Sequence, residues 1–223
     1  SLSSYPARKG RSVIIPNGII DEHLKNLSFK DVGRERDYTE VVLVGRVSRE
    51  KDIAYGILLA NSMFEPGSRY NIKIIGEVVP ENRIYSKSLE DLVCKNGLMR
   101  VVTFCGGIDR SSCLREIQNA DFIISSSDSE GLPTVLIEAQ VLSTVCIASN
   151  VQGNIDVVKH AETGFLFDKG LTAVENGLAL RSFTDKYDLE LIRKNARADA
   201  INGFEVSTIA LMIDQHYCGI ISC

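Results

Sequence analysis

Short apolar runs alternate with amphipathic stretches along most of the chain, and the two periods set the expected elements. Val41-Val42-Leu43-Val44 is an unbroken apolar run, mostly β-branched, closed by Gly45. That is the pattern of a strand buried on both faces. Residues 52–64 follow with Ile53, Ile57 and Leu58 at helical spacing. The unit then repeats: a strand over 72–75 closed by Gly76, then a helix over 81–95 with Ile84, Leu89, Leu92 and Val93 on one face. Next come a strand over 101–104 closed by Gly106-Gly107, and a helix over 110–119 behind Asp109, a good N-cap. A strand over 122–124 precedes a helix over 133–141, and residues 145–148 and 164–167 supply two more strands. The last part reads as helices over 171–183, 187–201 and 205–217. The third of these carries Ile209, Met212, Ile213, His216 and Tyr217 along one side, a stripe that predicts a face docked on a core.

Ahead of the regular pattern, residues 1–12 are short, polar and basic and read as a linker. Val13-Ile14-Ile15 reads as a short strand stopped by Pro16-Asn17-Gly18, and residues 21–39 as a charged surface excursion. Strand-helix alternation of this kind predicts parallel strands joined by crossovers. The expected fold is α/β: a single doubly wound Rossmann-like parallel sheet over residues 13–223, with helices on both faces and C-terminal helices.

Composition narrows the chemistry. With 223 residues and 44% hydrophobic positions the chain can bury a core without disulfides or metal. The formal charge of -4, with no basic patch interleaved with aromatics, disfavours nucleic acid. No apolar run is long enough to span a membrane, and residues 1–10 lack the apolar stretch of a signal peptide. The six cysteines are widely spaced, without Cys-x-x-Cys, and read as buried thiols in a reducing compartment. His23, His160 and His216 are far apart, so no zinc site is visible.

In an open parallel sheet ligands bind beyond the carboxyl ends of the strands, so the loops after each strand carry the candidates. Gly45-Arg46-Val47-Ser48-Arg49-Glu50-Lys51 offers a glycine turn and cations ahead of a helix, which suits a diphosphate, although such charges also occur as plain solvated surface. In Glu130-Gly131-Leu132-Pro133-Thr134-Val135, Gly131 relaxes the turn, Pro133 takes the first helical position and the first-turn amides face the strand ends. Glu138 lies further along the same helix, placed to accept from a diol. The competing reading is that Glu130 and Glu138 only complement the positive helix end. Gly76 and Gly107-Ile108 are either tight turns or places where a flat ring approaches the backbone. Asp128-Ser129-Glu130 has the look of a metal-binding acidic pair, but it runs directly into a helix start where the backbone dipoles already supply positive character. Gly-x-Gly-x-x-Gly and the Gly-Lys-Ser/Thr of a phosphate loop are both absent, against a dinucleotide site or an ATPase.

The order Pro16-Asn17-Gly18, Gly45-Arg46 with Lys51, Glu130-Gly131-Leu132-Pro133 with Glu138-Ala139, Ala148-Ser149-Asn150-Val151-Gln152-Gly153 and Thr163-Gly164 resembles the nucleotide-sugar-binding half of family 4 glycosyltransferases. The resemblance implies a retaining enzyme with two Rossmann-like domains, of which this chain is the donor-binding one, inactive in transfer without an N-terminal acceptor domain. It implies that Arg46 and Lys51 hold the donor diphosphate, that Glu130 touches the sugar hydroxyls and that Glu138 holds the ribose. The backbone from Gly131 through Leu132, Pro133 and Thr134 to Val135 would border sugar and phosphate, and Gly45, Gly76, Gly107 and Ile108 would line the nucleotide. No metal or other cofactor is implied; the partners are a nucleotide sugar and a glycan or lipid-linked acceptor. The implied location is the cytoplasm, with any contact with the inner membrane face made through the N-terminal domain. Two departures stand out: Ser143-Thr144-Val145 where the family commonly has Gly-x-Pro, and no second glycine two residues after Gly76. A nucleotide-sugar epimerase and a non-catalytic nucleotide-sugar-binding module are the alternatives, and a nicotinamide oxidoreductase a distant one.

Overall fold

Residues 15–21, 24, 25 and 36–221 are described by a computed structural model. Six strands, β1 (Thr39–Val44), β2 (Tyr70–Ile75), β3 (Val102–Gly106), β4 (Phe122–Ser125), β5 (Val145–Ser149) and β6 (Gly164–Phe167), form one sheet in the order β3-β2-β1-β4-β5-β6. Every neighbouring pair is parallel. The helices are α1 (Ile53–Ser62), α2 (Arg83–Lys95), α3 (Arg110–Asn119), α4 (Thr134–Val141), the single turn α5 (Asn154–Val157), α6 (Ala173–Lys186), α7 (Leu189–Phe204) and α8 (Val206–Ile221).

The unbroken apolar strands are explained by a core on each side of the sheet. Val41 and Leu43 of β1, Phe122 and Ile124 of β4, and Val145 and Ile147 of β5 face one core, filled by α1, α2 and α6. Val42, Ile123, Cys146 and Ala148, the alternate residues, face the other, filled by α3 and α4. α7 wraps the edge, placing Ile192 in the first core and Ala200 and Phe204 in the second. Each fully buried aliphatic side chain contributes roughly 1.5–3 kcal/mol, so the paired cores hold the strand ends, and the loops that leave them, in place.

Several sequence expectations are corrected. Val13, Ile14 and the 1–12 linker lie outside the described residues; Ile15 is irregular, and the pairing in this region is an isolated bridge from Ile20 to Glu205. Within the expected surface excursion, Leu24 is buried in the second core. On α2 the buried face is Tyr85, Leu89 and Val93, while Ile84 points to solvent. On α8 only Ile209 of the expected stripe is buried; Met212, Ile213 and Tyr217 are exposed, because α8 meets the body at its start, where Val206 N–H donates to Ile20 O. Among the described cysteines Cys146 is buried, Cys105 and Cys113 are half-buried and Cys94 is exposed.

Candidate functional site

The strand order reverses between β1 and β4, and the loops leaving their carboxyl ends flank that point. After β1, Gly45 N–H donates to Ile75 O, and the 3-10 turn Arg49–Lys51 leads to Asp52. Asp52 has a left-handed backbone, φ 41°, and its carboxylate caps α1 by accepting from Tyr55 N–H. Ser126 Oγ donates to Lys51 O at 3.0 Å and Asp52 O at 2.8 Å, and Asp128 N–H donates to Glu50 O at 2.9 Å. The two loops are thus stitched together by one backbone bond and two bonds from the Ser126 hydroxyl to backbone carbonyls.

This stitching places the predicted cations beside the predicted acid. Lys51 forms an ion pair with Glu130, and Ser127 Oγ donates to the same carboxylate oxygen at 2.6 Å. Arg46 is exposed and has no hydrogen-bond or ionic partner among the described residues. Gly76 is needed for close approach: a Cβ there would lie 1.8 Å from Gly45 O, so no larger residue lets the β1 and β2 loops touch. Gly153, at φ +90°, has the same role beneath the acidic loop, where a Cβ would lie 2.3 Å from Gly131 O. Gly131 itself departs from expectation. It is not among the glycines of positive φ, and a Cβ added there meets nothing within 4 Å. The fold therefore does not require that glycine.

Pro133 is also displaced from its expected place: it is the N-cap of α4 rather than its first helical residue, with φ -77° and ψ 81°. These angles make an inverse γ-turn in which Thr134 N–H donates to Leu132 O at 2.9 Å. That use of the Thr134 amide shortens the expected cradle. The N–H groups of Gly131, Leu132 and Val135 remain without a partner among the described residues. They are free to meet an anion at the positive helix end.

Glu138, on α4, accepts from Arg110 of α3 at 2.9 Å; its side chain is 15% exposed against 61% for the arginine. Burial raises the Glu138 carboxyl above its ordinary range, and Arg110 opposes the shift. The adjacent Cys113 thiol is pushed up to about 11, first by burial and then by the Glu138 charge. The expected base side is open: Gly107 is exposed, and Ile108 after β3 and Val78 after β2 are exposed apolar side chains.

Lys169, after β6, joins the loops from a third side. Its ammonium pairs with Asp52, lies 2.9 Å from Asp128, donates to Ser126 O at 3.2 Å and sits 4.4 Å from the centre of the Tyr55 ring. Asp128 and Glu130 therefore face different ammonium groups, not a shared cation site. No group of three or more His, Cys, Asp or Glu residues placed for a metal exists among the described residues. A cavity of about 470 Å³ lined by Thr39, Phe64, Asp121, Arg181 and Arg193 lies at the amino ends of the strands, away from these loops. We assign the site to the strand carboxyl ends, where the unpaired cation and amides are, and not to that cavity.

Arg110, Ser127 and Lys169 are not singled out by the sequence reading. One signal for Arg110 was present: a cation in the first turn of a helix opposes the macrodipole. Among the described residues no helix is long and apolar enough to cross a membrane.

With this arrangement in view, residues 25–198 match the family glycosyl transferases group 1. The chain is 28% identical over 204 residues to the Escherichia coli UDP-Gal:alpha-D-GlcNAc-diphosphoundecaprenol alpha-1,3-galactosyltransferase, covering 86% of this chain and 50% of that protein. It is 26% identical over 175 residues to the Staphylococcus aureus capsular polysaccharide biosynthesis glycosyltransferase CapM, covering 78% of this chain and 44% of that one. Among solved structures, Anabaena HepE in complex with UDP superposes with a TM-score of 0.79 at 23% identity, over 92% of this chain and 57% of that one. The chain spans about half the length of the curated relatives it matches. The parallel sheet, the loops at its point of reversal and the extent of the family match agree: the chain belongs to the glycosyl transferases group 1 and is a glycosyltransferase domain.

Proposed function

We propose that this domain binds the donor of a retaining glycosyltransferase that moves a sugar from a nucleoside diphosphate to a glycan, glycolipid or polysaccharide acceptor. The observation that carries the reading is the grouping at one point of the sheet of an unpaired cation, Arg46, a second cation, Lys51, and the unpartnered amides of Gly131, Leu132 and Val135. Such a group stabilises negative charge growing on a leaving diphosphate without a metal. Glu130, held by Lys51 and Ser127, takes the sugar hydroxyls; Glu138 takes the ribose diol; Val78 and Ile108 border the base. The acceptor class is argued from the E. coli and S. aureus relatives named above, whose names describe transfer to a lipid diphosphate and capsule synthesis. UDP in the HepE complex makes uridine the first base to try.

The test is a thermal-shift and calorimetry panel of UDP, GDP, ADP and their sugars, run with and without a chelator. One nucleotide class should stabilise the 223-residue chain, chelation should leave that binding intact, and Arg46→Ala should weaken it by about 1.5–3 kcal/mol, the range for a charged hydrogen bond. The chain alone should transfer no sugar, the acceptor half of the cleft being supplied by an N-terminal domain. Binding that requires magnesium or manganese, or robust transfer by this chain alone, contradicts the proposal.

A further inference from the structure

We propose that Arg110 is a positioning residue of the nucleotide site, whose guanidinium holds the Glu138 carboxylate ionised and oriented as an acceptor for the ribose diol. This rests on the reading of Glu138 given above.

Arg110 does not cap its own helix. α3 is already capped by Asp109, which accepts from Ser112 N–H at 2.9 Å and Ser112 Oγ at 2.6 Å. A cation in that first turn is unfavourable to the macrodipole. What Arg110 does contact is Glu138, and it reaches across from α3 to α4 to do so. Arg110 directly follows the Gly107-Ile108-Asp109 loop in the chain. It binds Oε1 alone; Oε2 has no hydrogen-bond partner among the described residues. One oxygen is therefore oriented while the other stays available, and the planar fork keeps further N–H groups exposed.

The surroundings make the ionised state dependent on this contact. The charges that act on Glu138 are those of Arg110 of α3 and Asp21 of the amino-terminal segment; Cys113 of α3 feels the Glu138 charge, and Cys146 of β5 and Arg197 of α7 also pack against α4. Cys146 is turned to Leu136 O and Arg197 to Val141 O, and Asp21 repels a second negative charge. Arg110 is thus the cation that reaches Glu138, against burial that favours the neutral acid. A diol donates two hydroxyl protons, and a protonated carboxyl offers a donor where an acceptor is needed. Nucleotide affinity should fall as pH drops through the Glu138 titration, and loss of Arg110 should move that fall to higher pH.

The test follows the Glu138 carboxyl carbon by NMR as pH is lowered, in the wild-type chain, Arg110→Gln and Arg110→Lys, together with UDP binding at each pH. In Arg110→Gln the carboxyl should titrate at higher pH than in the wild type, and Arg110→Lys, which keeps the charge, should restore most of the difference. UDP affinity in Arg110→Gln should fall further below wild type as the pH is lowered than it does at pH 8.5. An unchanged Glu138 titration in Arg110→Gln overturns the inference whether or not UDP binds. A shifted titration in a chain that binds no nucleotide overturns instead the assignment of Glu138 to ribose, and the positioning role with it.

Discussion

Glu130 and Glu138 look alike in the sequence, yet each has a different cation and a different neighbourhood. Glu130 is tied to Lys51 and Ser127 in the loop before α4, while Glu138 is set into the helix and tied to Arg110. Removing them should therefore have different effects. Glu138→Ala should weaken bare UDP and UDP-sugar alike by roughly 1.5–3 kcal/mol through lost charged hydrogen bonds. Glu130→Ala frees Lys51 for the diphosphate, so bare UDP should bind at least as well as to the wild type while UDP-sugar binds less well. In an enzyme carrying both domains, Glu130→Ala should lower turnover more than donor affinity. Equal losses for bare UDP in the two variants, by calorimetry, would mean that both carboxylates merely complement the helix end. Gly131 offers a complementary test, because the fold leaves open space where its Cβ would be. Gly131→Ala should change stability by less than about 0.5 kcal/mol, as at an ordinary surface site, yet weaken donor binding if the sugar or phosphate lies against that backbone. Unchanged affinity would remove Gly131 from the site.

At the scale of elements, the end of α4 shows how the chain manages a turn without the family's common glycine. Ser143 N–H donates to Gln140 O and Thr144 N–H to Ala139 O at 2.9 Å, the paired bonds of a Schellman motif. That motif puts Ser143 at φ 61°, in the left-handed region, with its hydroxyl buried and unpartnered. Both features cost free energy. Ser143→Gly relieves the backbone by about 1–2 kcal/mol and removes an unsatisfied polar atom, so it should raise the unfolding midpoint with the m-value unchanged. A lower midpoint would show that the serine hydroxyl has a stabilising partner. The same helix begins with the γ-turn at Pro133, so α4 enters and leaves through two special conformations, and Glu138 lies between them.

At the scale of the whole molecule, loops from three strands converge on Lys169. Burial disfavours its ammonium, but hydrogen bonds and charge from Asp52 and Asp128 outweigh that and raise its titration above the usual lysine value. The proton is thus held more tightly in the folded state, and the stabilisation is present below the unfolded pKa and lost as pH rises through the folded one. Lys169→Met should destabilise the fold by about 1–3 kcal/mol, since it leaves the Asp52 and Asp128 carboxylates without the cation they share. It should also loosen the loop that carries Lys51, lowering donor affinity without touching the donor. Unchanged stability at neutral pH, measured by denaturant, would show the cluster to be surface charge only.

The six strands and the helices between them are legible in the sequence because burial on both sides of a sheet forces unbroken apolar runs, while burial on one side of a helix forces the wider period. Val41 to Val44 and Phe122 to Ile124 report their own surroundings locally. So do the turn residues: Gly45, Gly76 and the run from Glu130 to Pro133 mark where the chain must bend, and their order carries the family resemblance. What the sequence could not show is which loops touch. Lys51 meets Glu130 across 79 positions and Lys169 meets Asp52 across 117. Those pairs exist because the strand order returns to the other side of β1 before β4, a choice made by the packing of two cores rather than by any local pattern. The α8 stripe failed for the same reason. Its period records amphipathic helix, but whether the apolar face meets the body depends on where α7 releases it, and it is released pointing away. Periodicity encodes how much of a segment is to be covered; only the assembled sheet decides by what, and so decides which charges become partners at the site.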